Sequence, residues 1–272
     1  MVLLYPQRFF LRIIKKISFL AVKLLWLFFC VYGCAGQAIV YPNSPSEKIP
    51  TTIFSGPIAE DDVVSAIVDI DLTSPDGYYP PIRAALIIKK PSYLRLEILP
   101  VIGTPDFLLA ASPEKMSIFI PSKEKFYYGQ PTGANLRKFI HWQFNIEDIV
   151  MIFAGTYPSL KEKDMSYQSY REKNLLRMEM KAPSGCSQIV WVGENNRLSK
   201  IVRNDKNGKE MYTVRYFYDE TPRTLPEKIT ISMADGITLL SVKFSDIRIE
   251  KATDLSIFDL PVPADVNVIL LK

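Results

Sequence analysis

Side chains able to do covalent or acid–base chemistry are few and scattered along this chain. His141 is the single histidine, set between Ile140 and Trp142. No serine in a nucleophile-elbow setting accompanies it, so a histidine-based triad is not expected. One histidine, one free cysteine and no closely spaced acidic cluster give no ligand set of a recognised metal spacing. Asp61-Asp62 and Asp69-Asp71 read as the start of a strand and its solvent face. Tyr127-Tyr128 offers a stacking surface for a sugar, or simply strand packing. The expectation is a protein that is not an enzyme and uses no cofactor.

Cys34 carries a different chemistry. Residues 1–33 contain Arg8, Arg12, Lys15, Lys16 and Lys23 and no acid, followed by an apolar run over 24–32. That is the pattern of a secretory signal whose apolar part is short for spanning a bilayer. Val31-Tyr32-Gly33-Cys34 resembles the bacterial lipobox, which implies that Cys34 becomes the first residue and carries a covalent lipid. The competing reading is an uncleaved membrane anchor with Lys23 snorkelling and Cys34 incidental. Ala35 is not the aspartate that retains such proteins in the inner membrane, so the resemblance points to the periplasmic face of the bacterial outer membrane.

Removing the signal changes the charge. The whole chain has 33 basic and 29 acidic residues. Without the five basic residues named above, 28 face 29, and the apparent basic character is gone. No nucleic-acid partner is implied. With Cys30 removed and Cys34 lipidated, Cys186 has no disulfide partner, so the fold must rest on its core. The expected organisation is a signal over 1–33, a lipidated, extended tether over 34–57 with Pro42, Pro45, Pro50 and Pro57, and one domain over 58–272.

The elements that would position any site are strands. Leu94, Leu96 and Ile98 alternate with Arg95 and Glu97, a half-buried strand that stops at Pro100 and Gly103. Its turn carries Val101 and Ile102, two β-branched residues that either fold back under the loop or are offered to something outside. Strands are predicted over 63–73, 82–90, 93–98, 107–111, 116–120 and 125–128, joined by short polar turns as an antiparallel meander. Helical spacing follows over 133–140 and 146–153, the second capped by Asn145 with Glu147 and Asp148 in its first turn. Strands resume over 165–171, 175–181, 187–192, 198–204, 210–218, 225–233 and 238–249, and the stretch 258–271 ends in an edge strand. Asn207-Gly208 marks one of the hairpins.

The succession Tyr93-Leu94-Arg95-Leu96, Leu99-Pro100-Val101-Ile102-Gly103, Phe107-Leu108-Leu109, Met116-Ser117-Ile118, Lys125-Phe126-Tyr127-Tyr128-Gly129, closed by Phe153-Ala154-Gly155, resembles LolB-like outer-membrane lipoproteins of the LolA/LolB-like lipoprotein-sorting group. The resemblance implies a mainly β fold: one large curved antiparallel sheet of about 11–12 strands forming a half-open barrel, with short helices covering or plugging one side. It also implies an apolar cavity for lipid or lipoprotein acyl chains, and help in inserting lipoproteins into the outer membrane. Its partners would be membrane lipid, lipoprotein acyl chains and a periplasmic LolA-like carrier, with the chain itself a monomer. Val101 and Ile102 match the family's membrane-insertion loop, Ile102 foremost. Cavity candidates are Leu94, Leu96, Ile98, Leu108, Met116, Ile118 and Phe126 from the sheet and Phe139, Ile149, Ile152 and Phe153 from the helices, each of which would equally suit a filled core. The alternative from another class is a structural or assembly lipoprotein using the same domain as a protein-binding platform.

Overall fold

Branched aliphatics alternating with polar residues make most of the chain β, and the computed structural model, which describes residues 56–140, 144–193, 196–219 and 224–272, gathers the strands into one sheet. The signal, Cys34, most of the tether and His141 lie outside the described residues. The amino-terminal strands are β1 (Asp62–Ser74), the two-residue β2 (Gly77–Tyr78), β3 (Ile82–Lys89), β4 (Tyr93–Ile98), β5 (Leu108–Ala111), β6 (Met116–Ile120) and β7 (Lys125–Gly129). Helices α1 (Gly133–Leu136) and α2 (Ile146–Phe153) follow. The second set is β8 (Ser166–Glu172), β9 (Leu175–Lys181), β10 (Ser187–Val192), β11 (Leu198–Asn204), β12 (Glu210–Phe217), β13 (Lys228–Met233), β14 (Leu239–Lys251) and β15 (Asn267–Leu271).

The sheet order is β15-β7-β6-β5-β4-β3-β1-β14-β13-β12-β11-β10-β9-β8, with β2 paired to β1. The edges β15 and β8 do not pair with each other, so the sheet is open. It contains 15 strands, more than the 11–12 expected. All ladders are antiparallel except that of β15, which runs parallel to β7. Two antiparallel meanders meet at the seam between β1 and β14, where Val68 pairs with Phe244 and Ile70 with Val242. At the β15 edge Gly129 lies so close to Leu271 that a Cβ would come within 2.7 Å of its carbonyl oxygen, so this position tolerates no side chain.

Register assigns the faces. Val64, Ala66 and Val68 of β1 pair with Ile88, Leu86 and Ala84 of β3, and Leu86 and Ile88 pair with Leu96 and Leu94 of β4. These residues share an inner face with Leu109, Ile118 and Met116 and feed one hydrophobic core. That core extends through Val242 and Phe244, Ile229 and Ile231, Val214 and Tyr216 to Val190 and Met178.

The chain crosses this inner face once, between β7 and β8. The Phe139 ring meets Tyr127 of β7 edge-on, with centroids 4.8 Å apart. Phe144 packs on Tyr212 of β12 at 4.7 Å. α2 then lies against β3 and β4, with Ile146, Ile149, Val150, Ile152 and Phe153 buried. Its start is fixed by Asn145, whose Oδ1 accepts from the Asp148 amide at 2.8 Å. Beyond the helix, the Tyr216 hydroxyl donates to the Thr156 carbonyl at 3.0 Å and Gln188 Nε2 donates to the Pro158 carbonyl at 3.0 Å. α1 is shorter than its apolar spacing predicts. Thr132 caps it, and after Leu136 the chain continues as turns in which the Phe139 and Ile140 amides both donate to the Leu136 carbonyl.

Candidate functional site: an apolar mouth beneath an exposed loop

In the amino-terminal half of the sheet the inner face is buried toward one end and half-buried toward the other. On β1, Val64, Ala66 and Val68 are buried, whereas Ile70 and Leu72 are half-buried. On β4 the change comes between Leu94, 3% exposed, and half-buried Leu96 and Ile98. On β6, Met116 and Ile118 are buried and Ile120 is half-buried. Register puts these transitions at the same end: Ile70 pairs with half-buried Ile82, two residues from Ala84, which pairs with Ile98. Ile70, Leu72, Ile82, Leu96, Ile98 and Ile120 thus form an aliphatic mouth at the end of the sheet from which the β4–β5 loop projects.

That loop is pinned at its stem and free at its tip. The Ile98 amide donates to the Phe107 carbonyl at 3.0 Å, and the Leu99 amide donates to the Arg83 carbonyl at 2.8 Å. Asp106 accepts from both the amide and the hydroxyl of Ser122, holding its carboxyl below the usual carboxylate range. Gly103 has a φ of +99°, in the region glycine alone adopts freely, and lets the chain reverse. At the tip, Val101 is 102% exposed and Ile102 is 90% exposed. They do not fold back under the loop.

Leu94, Met116, Ile118, Ile149, Ile152 and Phe153 sit deep in the common core. Leu96 and Phe139 are partly buried against it, and Ile98 belongs to the mouth. Leu108 and Phe126 differ from the expectation. Leu108 pairs with Glu97 and Phe119, and Phe126 pairs with Phe119, so both lie on the outer face. Phe126 is buried there, its ring 6.4 Å from that of Phe119. Five consecutive apolar residues over 107–111 and three aromatics over 126–128 carry no alternation, so the sequence could not assign their faces. The inner-face residues in those strands are Leu109 and Tyr127. Mouth residues Ile70, Leu72 and Ile82 were not among the sequence candidates, although the alternation along β1 pointed to the first two.

The polar groups of the inner face lie on the other half of the sheet. Burial pushes the Asp148 carboxyl up, with Arg203 pulling the other way. Arg203 Nη1 donates to Gln188 Oε1 at 2.8 Å. Tyr212 and Tyr216 are pushed up by burial and stay neutral. These groups hold the crossing segment; they do not converge with a nucleophile. Among the described residues no group of histidine, cysteine, aspartate and glutamate could hold a metal ion, and no helix is long and apolar enough to cross a membrane.

No family model matches the sequence, and no curated protein matches it. Solved structures do. A LolA superfamily protein from Nitrosomonas europaea superposes with a TM-score of 0.53 at 16% identity, covering 77% of this chain and 94% of that one. A domain named for outer membrane lipoprotein sorting, from Vibrio parahaemolyticus, gives 0.50 at 14% identity over 74% of this chain and 90% of its own. A DUF1329 family protein from Desulfovibrio piger gives 0.53 at 14% identity over 74% and 90%. At these identities the likeness is one of fold: a large open, mainly antiparallel sheet with short helices, as in the LolA superfamily. It supports the LolA/LolB-like resemblance and does not single out LolB.

Proposed function

We propose that this chain is a lipid-anchored binding protein that takes acyl chains of lipids or lipoproteins into the mouth of its sheet and delivers them to the outer membrane. The observation that carries the reading is the pairing of the half-buried aliphatic mouth with the exposed Val101-Ile102 tip at one end of the domain. No enzyme chemistry is invoked. Each methylene removed from water contributes on the order of 0.8 kcal/mol, so aliphatic side chains alone can retain a chain. Release then needs a more apolar sink, and a loop tip in the bilayer surface brings the mouth to one. Cys34 as the lipidated residue, the outer membrane as destination and a LolA-like donor belong to the same proposal.

The deep half of the inner face is occupied by α2, so an acyl chain can pass beyond the mouth only if the crossing segment yields. This filling favours the second reading, a protein-binding platform that carries no lipid. Native mass spectrometry of the purified protein with diacyl phospholipid separates the two. A bound lipid, released to liposomes by the natural protein and retained by Ile102→Glu, supports delivery. Absence of any adduct, or unaltered release from Ile102→Glu, overturns it.

A further inference from the structure

Register places three hairpins side by side at the mouth end. β4 and β5, β3 and β1, and β14 and β13 are six consecutive strands of the sheet. The pairs Ile98 with Ala84, Ser74 with Gly77, and Thr73 with Leu239 bring their turns to the same end. Each turn bears exposed apolar or aromatic side chains: Val101 and Ile102 in the first, Tyr78 at 64% and Tyr79 at 38% exposure in the second, Ile237 at 54% and Leu239 at 42% in the third. Three turns at the opposite end carry no exposed large apolar side chain: Lys90-Pro91-Ser92, Ser112-Pro113-Glu114-Lys115 and Lys173-Asn174. Exposed Phe217 and Ile249 also lie toward that end, on the strands themselves and not on hairpin turns.

We infer that these three hairpin tips together form a bilayer-docking end, with Tyr78, Tyr79, Ile237 and Leu239 entering the headgroup region beside Val101 and Ile102. The inference rests on the reading that the domain works at a membrane, and extends it from one loop to a three-point seat that fixes the direction of the mouth. Hairpins two strands apart stand about 10 Å from one another, so the tips are separate apolar points and not one continuous patch of the kind a protein partner covers. Backbone amides of the second and third tips are already satisfied. The Ile237 and Thr238 amides donate to Asp235 at 2.9 and 2.7 Å, and the Tyr79 amide donates to the Leu72 carbonyl at 3.0 Å, which leaves these groups unavailable for strand addition. A fluid interface accepts separated tips to a depth of about 5–10 Å, and tyrosine suits it, with an apolar ring and a wet hydroxyl.

Exposed cations and anions are mixed at this end, Lys123, Lys206 and Lys209 beside Asp76, Asp106, Glu124 and Asp235, so the seat rests on its apolar tips and on reach. The 21 residues of 35–55 can extend at most about 70–75 Å. The 13 residues of β1 rise only about 43 Å. A lipid on Cys34 can therefore share one bilayer with tips at the opposite end of the domain.

The test uses the full chain in a Cys30→Ser, Cys186→Ser background, in proteoliposomes of phosphatidylethanolamine and phosphatidylglycerol containing doxyl-labelled acyl chains. A bimane label is placed in turn on Tyr78→Cys, Ile102→Cys, Ile237→Cys and Asn174→Cys, with folding checked by circular dichroism. The expected result is quenching and a blue shift at the first three positions and neither at the fourth. Adding Ile237→Glu to the Ile102→Cys protein should lower quenching at 102. Quenching at 102 alone, at all four positions or at none overturns the three-point seat. Lipid adducts in native mass spectrometry are read separately. Adducts without quenching leave the carrier reading intact, and quenching at the three tips without adducts supports the seat while overturning the carrier.

Discussion

Asp106 accepts two hydrogen bonds from Ser122, one from the amide and one from the hydroxyl, each 2.7 Å long. They tie the stem of the β4–β5 loop to the turn between β6 and β7 and leave Val101 and Ile102 as a free tip on a fixed base. Replacing Asp106 with alanine should speed hydrogen exchange of the Ile98 and Ser122 amides with no other protected region affected. The anchor also has a pH signature. The folded carboxyl titrates below its ordinary 3.8, so its contribution is present above that value and is lost as pH falls through the lower folded one. Protection of these two amides, after correction for the intrinsic pH dependence of exchange, should fall in acid ahead of global unfolding.

Ile102→Glu and Ile98→Asn separate delivery from uptake. Ile102 touches solvent alone, so its replacement should leave stability within about 0.5 kcal/mol while retarding release of bound acyl chain to liposomes. Ile98 faces the mouth, and Ile98→Asn should reduce the lipid adduct itself. Thermal melts and native mass spectrometry of the two variants check both halves of the statement.

Phe153 holds α2 to the seam of the sheet, its ring edge-on to that of Phe244 with centroids 5.9 Å apart. Phe153→Ala should cost about 3–5 kcal/mol in denaturant unfolding. If the crossing segment must yield for a chain to pass the mouth, the same variant should take up lipid faster in stopped-flow measurements, a gain that core damage alone does not produce.

Burial raises the Asp148 carboxyl above 3.8, so the folded state binds this proton more tightly than the unfolded chain. Stability from this group is full below 3.8 and falls as pH rises through the folded value. Asp148→Asn should flatten that slope and leave the protein more stable at neutral pH. Denaturant titrations across the acid range read the difference.

Thr156 offers a test of the crossing that does not involve its apolar side chains. Its hydroxyl is buried with no hydrogen-bond partner among the described residues, while its carbonyl accepts from Tyr216. Thr156→Val should stabilise the fold by about 1 kcal/mol, and Tyr216→Phe, which deprives the carbonyl of its donor, should destabilise it by about 1–2 kcal/mol. Chemical denaturation of the two single variants measures the contrast.

Most of the strands were legible because apolar and polar residues alternate along them, and α2 because Asn145, two acids and a three-to-four-residue apolar spacing agree. Side-chain facing failed where alternation is absent: Leu108 and Phe126 sit in uninterrupted apolar runs, and only pairing with Glu97 and Phe119 fixes their side. The parallel placement of β15 depends on a partner 142 positions earlier, as in the pairing of Asn267 with Lys125, which no local pattern encodes. The exposure of Val101 and Ile102 was an open alternative in the sequence. It was decided by the Asp106–Ser122 bonds and by Gly103, which turn the tip outward.

The seam between β1 and β14 also sets the order in which the protein can fold. Lys251 Nζ donates to Asp61, 190 positions away, so the first strand acquires its second neighbour near the end of the chain. A polypeptide that emerges amino end first can pair β1 with β3 and assemble the meander through β7. β1 then presents a bare ladder edge until some hundred further residues have emerged, as the position of β14 dictates. Such an edge is a template for wrong pairing, and closure across so long a loop is slow. Folding should therefore be sensitive to holdase chaperones, with the nascent amino-terminal half as their client.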